Sequence, residues 1–428
     1  MNLVIMMLIA IAAILVYLKT VNNSHLWFCI YFFVASLGNY YNDLYQFANG
    51  IVIADIALLL FVASYVIAHR KELYIKRKTG YIYLIALYML LLGLFNGSEF
   101  GQILRDVKVF LYFFSAFLYC DKCKNDVVFI DYIKKTLFLC ICFTIVVCGN
   151  SFINYGLQGV ISSGKIDRIF GMGLSEYGLT IFVIIFFALR NTNVNLVQRC
   201  ILWILIFLCT GLSIVSYTRS IWIQLVLSIL LYKIACVFVL KLEISLNSLV
   251  KTVAMLISCV GIVLFIISYL KTDYTALYNV LESRILSIQD AGTGKQGVNV
   301  DTLLFRINDI KRYSYKFYNP RILLGWGFGD KLTGANSGIV ENSFLYYSWK
   351  YGLVMFVVLI TKLFDRFMKM LKSRNCVNIA VLCSLFAYLI SGSMSGHLNK
   401  YYYLPLVAIL LTIDFGRYFG NNFEIEGY

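Results

Sequence analysis

Apolar blocks joined by short basic connections constrain this chain more than any other feature of its sequence. The blocks occupy 3–18, 26–41, 51–68, 81–95, 107–120, 136–149, 177–190, 200–216, 219–240, 250–270, 344–361, 378–395 and 402–415. A helix that crosses a bilayer needs about 20 apolar residues, or about 17 at the short end, so several blocks reach that length only with their flanking aromatics. Blocks of this length and density are expected of spans rather than of a water-soluble core. Apolar residues make up 61% of the chain and charged residues 14%, whereas a soluble domain carries roughly a quarter charged residues. The expected fold is an all-α polytopic membrane protein with twelve or thirteen transmembrane helices. The first block, Leu3 to Leu18, has no basic residue before it and no clear small-residue cleavage site, so a retained span is expected there rather than a signal peptide.

Lysine and arginine set the expected orientation. The most basic short connections are 69–80 (Arg70, Lys71, Lys76, Arg77, Lys78) and 362–376 (Lys362, Arg366, Lys369, Lys372, Arg374), and eight blocks lie between them. An even number of crossings puts both on one side, and positive charge marks that side as cytoplasmic. Connections 121–135 and 190–199 fall there too; 96–106, 150–176, 217–218 and 271–343 fall outside. The C-terminus is then inside, and thirteen spans place the N-terminus outside. Three regions follow: an N-terminal bundle of about ten spans over 1–270, a large periplasmic loop over 271–343, and C-terminal spans with a cytoplasmic tail over 344–428. The loop's positive charge is no objection, because long loops are exempt from the charge rule. Within it Leu303, Leu304, Ile307, Ile310 and Phe317 recur at helical spacing behind Asp301, a suitable N-cap, which predicts an amphipathic helix at the outer surface. Asn319-Pro320 ends that pattern.

Other classes are disfavoured by what the charges and sulfurs do. The formal net charge is +15, but the basic residues lie between apolar blocks and form no aromatic–basic array, so topology rather than nucleic acid accounts for them. Most cysteines sit inside apolar blocks and act as small hydrophobes. Cys120-Asp121-Lys122-Cys123 is a lone pair without nearby histidine, and the chain has 3 histidines in all, so no metal or redox cofactor is expected.

Arginine on the outer side is the most informative chemistry. Arg105, Arg168, Arg219, Arg284, Arg306 and Arg321 all fall there. Guanidinium grips phosphate through two parallel hydrogen bonds and stays charged at any relevant pH. Converging arginines therefore suit a pyrophosphate head group; alternatively each one snorkels to the interface alone. Arg168, in Asp-Arg-Ile-Phe-Gly, Arg219, in Tyr-Thr-Arg-Ser, and Arg306 are read as functional, while Arg105, Arg284 and Arg321 fit either account. Gly325-Trp326-Gly327-Phe328-Gly329 admits close backbone approach to a ligand, or makes a tight re-entrant turn with Trp326 and Phe328 as interfacial anchors. Glu341-Asn342 stands just before a span; a shielded carboxylate there either acts as general base on a sugar hydroxyl or pairs with an arginine. Asp55, inside a block, is expected to be paired or pore-facing.

This order of features resembles the O-antigen polymerase and O-antigen ligase superfamily: many spans, a large late external loop, an arginine-bearing helix, Pro-x-x-x-x-Gly-x-Gly-x-Gly, then a polar residue and Asn before a span. Here the stretch runs from Arg306 to Gly352, ending in Tyr-Gly-Leu-Val, and Arg168-Ile-Phe-Gly and Tyr-Thr-Arg219-Ser are similar to the family's other arginine segments. The resemblance implies a metal-independent, inverting glycosyltransferase of the membrane-embedded C-type fold, without cofactor. Its partners would be undecaprenyl-pyrophosphate-linked glycan as donor and acceptor, membrane lipid, and a chain-length regulator protein. Arg219, Arg306 and Glu341 would carry catalysis; Arg168, Arg284, Gly325, Gly327, Gly329 and Asn342 would bind substrate. Family ligases commonly carry histidine before the Asn, whereas this chain has Glu341, which favours polymerase over ligase. A transporter or flippase of lipid-linked oligosaccharide is the other alternative, but the paired repeats expected of one are not visible.

Overall fold

The computed structural model describes residues 16–37, 52–70, 77–162, 177–190, 192, 194–215, 219–240, 311, 314, 318–330, 343–393 and 403–419. Every regular element among them is helical. In chain order they are α1 (Ser24–Ser36), α2 (Ile53–Ala68), α3 (Arg77–Phe95), α4 (Phe100–Cys123), α5 (Val127–Ser162), α6 (Tyr177–Arg190), α7 (Leu196–Val215), α8 (Arg219–Phe238), a 3-10 turn (Pro320–Leu323), α9 (Ser343–Lys372), α10 (Cys376–Ser393), α11 (Leu404–Thr412) and α12 (Phe415–Phe419). Of the amphipathic helix expected from Asp301, only Lys311 and Ser314 are among the described residues, and both are helical. At its expected end Asn319 Oδ1 accepts from Arg321 N at 2.9 Å and Pro320 opens the 3-10 turn, as its missing N–H and fixed φ favour.

Helix α4 packs on α3 and α11, and α1 on α2 and α5. Their shared core is aromatic: Phe28, Tyr31, Phe32, Phe61, Tyr112 and Phe129 are buried, with Tyr31 stacked on Phe61 at 5.7 Å. A second group joins α6, α7, α8 and α10, and α9 packs on α10. The faces turned away from the bundle are also apolar. On α7, Val197, Ile201, Ile204 and Leu208 are exposed; on α8, Ile223, Val226, Leu230 and Ile234; on α3, Leu84, Leu87, Leu91 and Leu94. Each set advances by three or four residues, one stripe of a helix. Gln224, Ser228 and Ser213 are buried inside, where Ser391 Oγ donates to Gln224 Oε1 at 3.1 Å.

Among the described residues two helices, over Leu196–Ser213 and Ser220–Phe238, are long and apolar enough by themselves to cross a membrane. Shorter apolar helices cover Ser24–Ser36, Ile53–Ala68, Leu84–Phe95, Gly178–Arg190 and Cys376–Ser391. Several boundaries differ from the sequence expectation, three of them markedly. The connection placed at 96–106 shrinks to 96–99, because α4 begins at Phe100; α5 continues to Ser162; and α9 runs through the basic segment as far as Lys372. Pairing explains the first: Asp106, expected in that connection, meets Lys350 Nζ at 2.8 Å on a helix. Within the expected spans, Lys108 Nζ lies 2.7 Å from Asp55 Oδ2, and Tyr112 OH donates to Asp55 Oδ1 at 2.9 Å. Asp55 is therefore paired.

Helix ends sort into two sets. At one end Arg366 Nη2 meets Asp121 at 2.5 Å, Lys134 Nζ donates to Tyr418 O at 2.6 Å, and His25 Nε2 lies 3.1 Å from Asp126. At the other, Asn96 and Asp106 meet Trp326, Gly329, Tyr346 and Lys350. Helix α4 connects the two sets.

Candidate functional site

The site begins with a break in a helix. Gly352 has φ 77 and ψ 159 in the middle of α9, and a break there withdraws the amides that would bond the carbonyls one turn earlier. The glycine run takes those carbonyls over: Trp326 N donates to Trp349 O at 3.2 Å and Gly327 N to Lys350 O at 3.1 Å. Phe328 N donates to Met89 O of α3 at 3.1 Å, and Gly329 N to Asp106 Oδ2 of α4 at 2.7 Å. One short segment is thus bonded to three helices. Asn96 Nδ2 fixes Trp326 O at 2.6 Å, and Arg321 in turn donates to Asn96 Oδ1.

Gly325, Gly327 and Gly329 all have φ between 80 and 86, the left-handed region that favours glycine. Their surroundings are backbone: a Cβ on Gly325 would lie 2.5 Å from Gly352 N, and one on Gly327 2.5 Å from Gly93 N. With their amides given to protein acceptors, the three glycines bring helices together here. Trp326 and Phe328 are buried rather than interfacial: Phe328 meets Phe110 and Tyr351 edge-on at 6.1 and 5.9 Å, and Trp326 packs with Ile322, Tyr346 and Trp349. Gly327→Ala is expected to lose about 1–2 kcal/mol from backbone strain alone, and more from the clash with Gly93. A melting temperature of the purified protein unchanged from wild type would contradict this packing.

An ion pair anchors the assembly. Lys350 Nζ lies 2.8 Å from Asp106 Oδ2, with the two side chains 1% and 2% exposed. Asp106 also receives Tyr346 OH at 2.5 Å, so its carboxylate has a full set of donors. Lys350 reaches Asp330 O as well, and Trp349 Nε1 donates to Asp330 Oδ2 at 2.7 Å. Burial on this scale is tolerable only because each charge is both paired and hydrogen-bonded. At the rim, Arg105 Nε stands 3.8 Å from Asp106 Oδ1.

Of the residues expected to act, Gly325, Gly327 and Gly329 are brought into this cradle, and Arg105 and Arg321 border it. Arg219 opens α8, whose Gln224 accepts from Ser391 near the end of α10. Arg168, Arg284, Arg306, Glu341 and Asn342 lie outside the described residues. Asp106, Lys350, Tyr346 and Gly352 were missed as a unit. Their signal was a lone acid and a lone lysine, each set beside an aromatic-rich apolar run, far apart in sequence. Among the described residues no group of three or more His, Cys, Asp or Glu side chains is placed to hold a metal, and Cys120 and Cys123 are free and buried.

No model of a known protein family matches the sequence, and no curated protein matches it.

Proposed function

We propose that this chain is a polytopic inner-membrane glycosyltransferase of the C-type architecture, which polymerises undecaprenyl-pyrophosphate-linked repeat units at the periplasmic face. The observation that carries it is the glycine cradle. The run that follows the arginine-bearing loop is locked to α3, α4 and α9.

Membrane placement is supported by the exposed apolar stripes of α3, α7 and α8, which suit lipid contact. Polar side chains such as Gln224 and Ser391 turn inward and bond across helices, as expected of packed helices in lipid. The charged helices are neutralised internally: Asp55 by Lys108 and Asp106 by Lys350. Connections expected on one side of the membrane meet only at one end of the bundle in the contacts described above.

In the proposed reaction, a sugar hydroxyl of the fresh lipid-linked unit attacks the anomeric carbon of the donor glycan. The bond from that carbon to the pyrophosphate oxygen breaks, and undecaprenyl pyrophosphate leaves. The hydroxyl proton passes to a carboxylate, the role proposed for Glu341, two residues before the start of α9. Charge grows on the leaving pyrophosphate, where Arg219 and Arg306 supply fixed, doubly hydrogen-bonding cations. Arg168 and Arg284 hold the same head group, and Asn342 orients the acceptor. The glycines keep the return of the loop onto α9 rigid, since a site displaced by an ångström can cost about a hundredfold in rate.

Purified protein in liposomes with lipid-linked repeat units should yield longer glycans without any ion gradient; no extension would refute the polymerase. Deleting the gene should leave lipid A-core bearing a single repeat unit, and loss of every attached repeat would instead indicate ligation.

A further inference from the structure

The opposite end of the bundle contains a second candidate site. A cavity of about 230 Å³ opens there between α4, α9, α10 and the α11–α12 junction, far larger than the ~10–15 Å³ that a single water needs. Its lining includes the apolar Met370, Leu411 and Ile413, of which Leu411 and Ile413 are buried, together with the cations Lys124, Arg366, Lys369 and Arg417. The three segments that meet around it, 121–135, 362–376 and 413–419, hold ten lysines and arginines against five aspartates.

The cations differ in how far they are satisfied. Lys124 and Arg366 share Asp121, at 3.0 and 2.5 Å. Burial pushes the Asp121 carboxyl up, but the hydrogen bonds from these two cations outweigh it and hold it below its ordinary range. Lys369 pairs with Asp365 at 2.8 Å on an exposed helix face, a contact worth only about 0.3–0.5 kcal/mol and easily given up. Arg417 has no carboxylate partner among the described residues. Its guanidinium meets Asn125 Oδ1 at 3.5 Å and the Tyr418 ring at 5.5 Å. Asp414, the acid in the cavity wall, is turned to Asn378 Nδ2 at 2.7 Å and to the Arg417 backbone amide at 3.1 Å.

We infer that this cavity binds a phosphate-bearing head group, with Arg417 and Lys369 as its principal contacts and the apolar lining receiving what is attached to the phosphate. A basic pocket between helices at the cytoplasmic end of a membrane bundle is suited to an acidic phospholipid, and a free phosphate offers the same chemistry. The inference rests on this end of the molecule alone and stands or falls independently of glycan transfer.

The test titrates full-length protein in neutral detergent, by calorimetry, with dihexanoyl phosphatidylglycerol, dihexanoyl phosphatidylcholine and inorganic phosphate. The anionic lipid is expected to bind at least tenfold more tightly than phosphatidylcholine. Arg417→Gln is expected to weaken it about tenfold or more, as loss of a charged hydrogen bond does; Lys369→Gln, on an exposed face, should weaken it with no loss of folding. Binding of inorganic phosphate with similar affinity and the same loss in Arg417→Gln would assign a soluble phosphate as the source. Equal binding of the two lipids without phosphate binding, no binding by any probe, or affinity unchanged in both variants would overturn the site.

Discussion

Lys350→Met is expected to destabilise the protein by about 3–5 kcal/mol, the cost of leaving a buried partner charge uncompensated. Asp106 would keep the Gly329 amide and the Tyr346 hydroxyl, but it would lose the Lys350 ammonium 2.8 Å from its Oδ2. Asp106→Leu should be similarly damaging, because it also orphans the Gly329 N–H and the Lys350 ammonium. The informative variant combines Lys350→Met with Asp106→Leu. If the pair is mainly a desolvated charge couple, the double variant should be clearly more stable than either single one. Thermal unfolding of the four proteins in one detergent gives the coupling directly. Simple addition of the two single losses would show that Asp106 and Lys350 act separately and would dismantle the cradle as described.

The second large effect belongs to the arginines. Arg219→Ala and Arg306→Ala should each lower polymerisation on the order of 10²- to 10³-fold, the range for removing one preorganised donor from a developing anion. Long glycans should vanish from a lipopolysaccharide gel while membrane levels of the protein persist. Lysine replacements should recover little, since a point charge does not reproduce the paired hydrogen bonds of guanidinium. A normal chain-length ladder in both alanine variants would remove these residues from the reaction.

What the sequence discloses depends on how local the cause is. Helical class follows from the apolar blocks, and the 3-10 turn at Pro320 follows from Asn-Pro. The glycine run was also legible as a tight turn, because alternating glycine speaks directly to backbone angle. Its partners were not. Nothing near Trp326 in sequence points to the carbonyls of Trp349 and Lys350, which become acceptors only because Gly352 interrupts α9. Charge misled for the same reason. Asp106 passes for a loop residue until Lys350 is set beside it, since hydropathy counts a charge without knowing its counterion. The cavity at Arg417 has no motif at all, being assembled from three separate segments of the chain.

The Asp106–Lys350 pair also sets a timetable for biogenesis. Lysine 350 leaves the ribosome 244 residues after Asp106, roughly 12–50 s later at about 5–20 residues per second. Throughout that interval the Asp106 carboxylate has Arg105 beside it in the chain but not the lysine ammonium with which it is finally buried, so this part of the core can close only after α9 has been made.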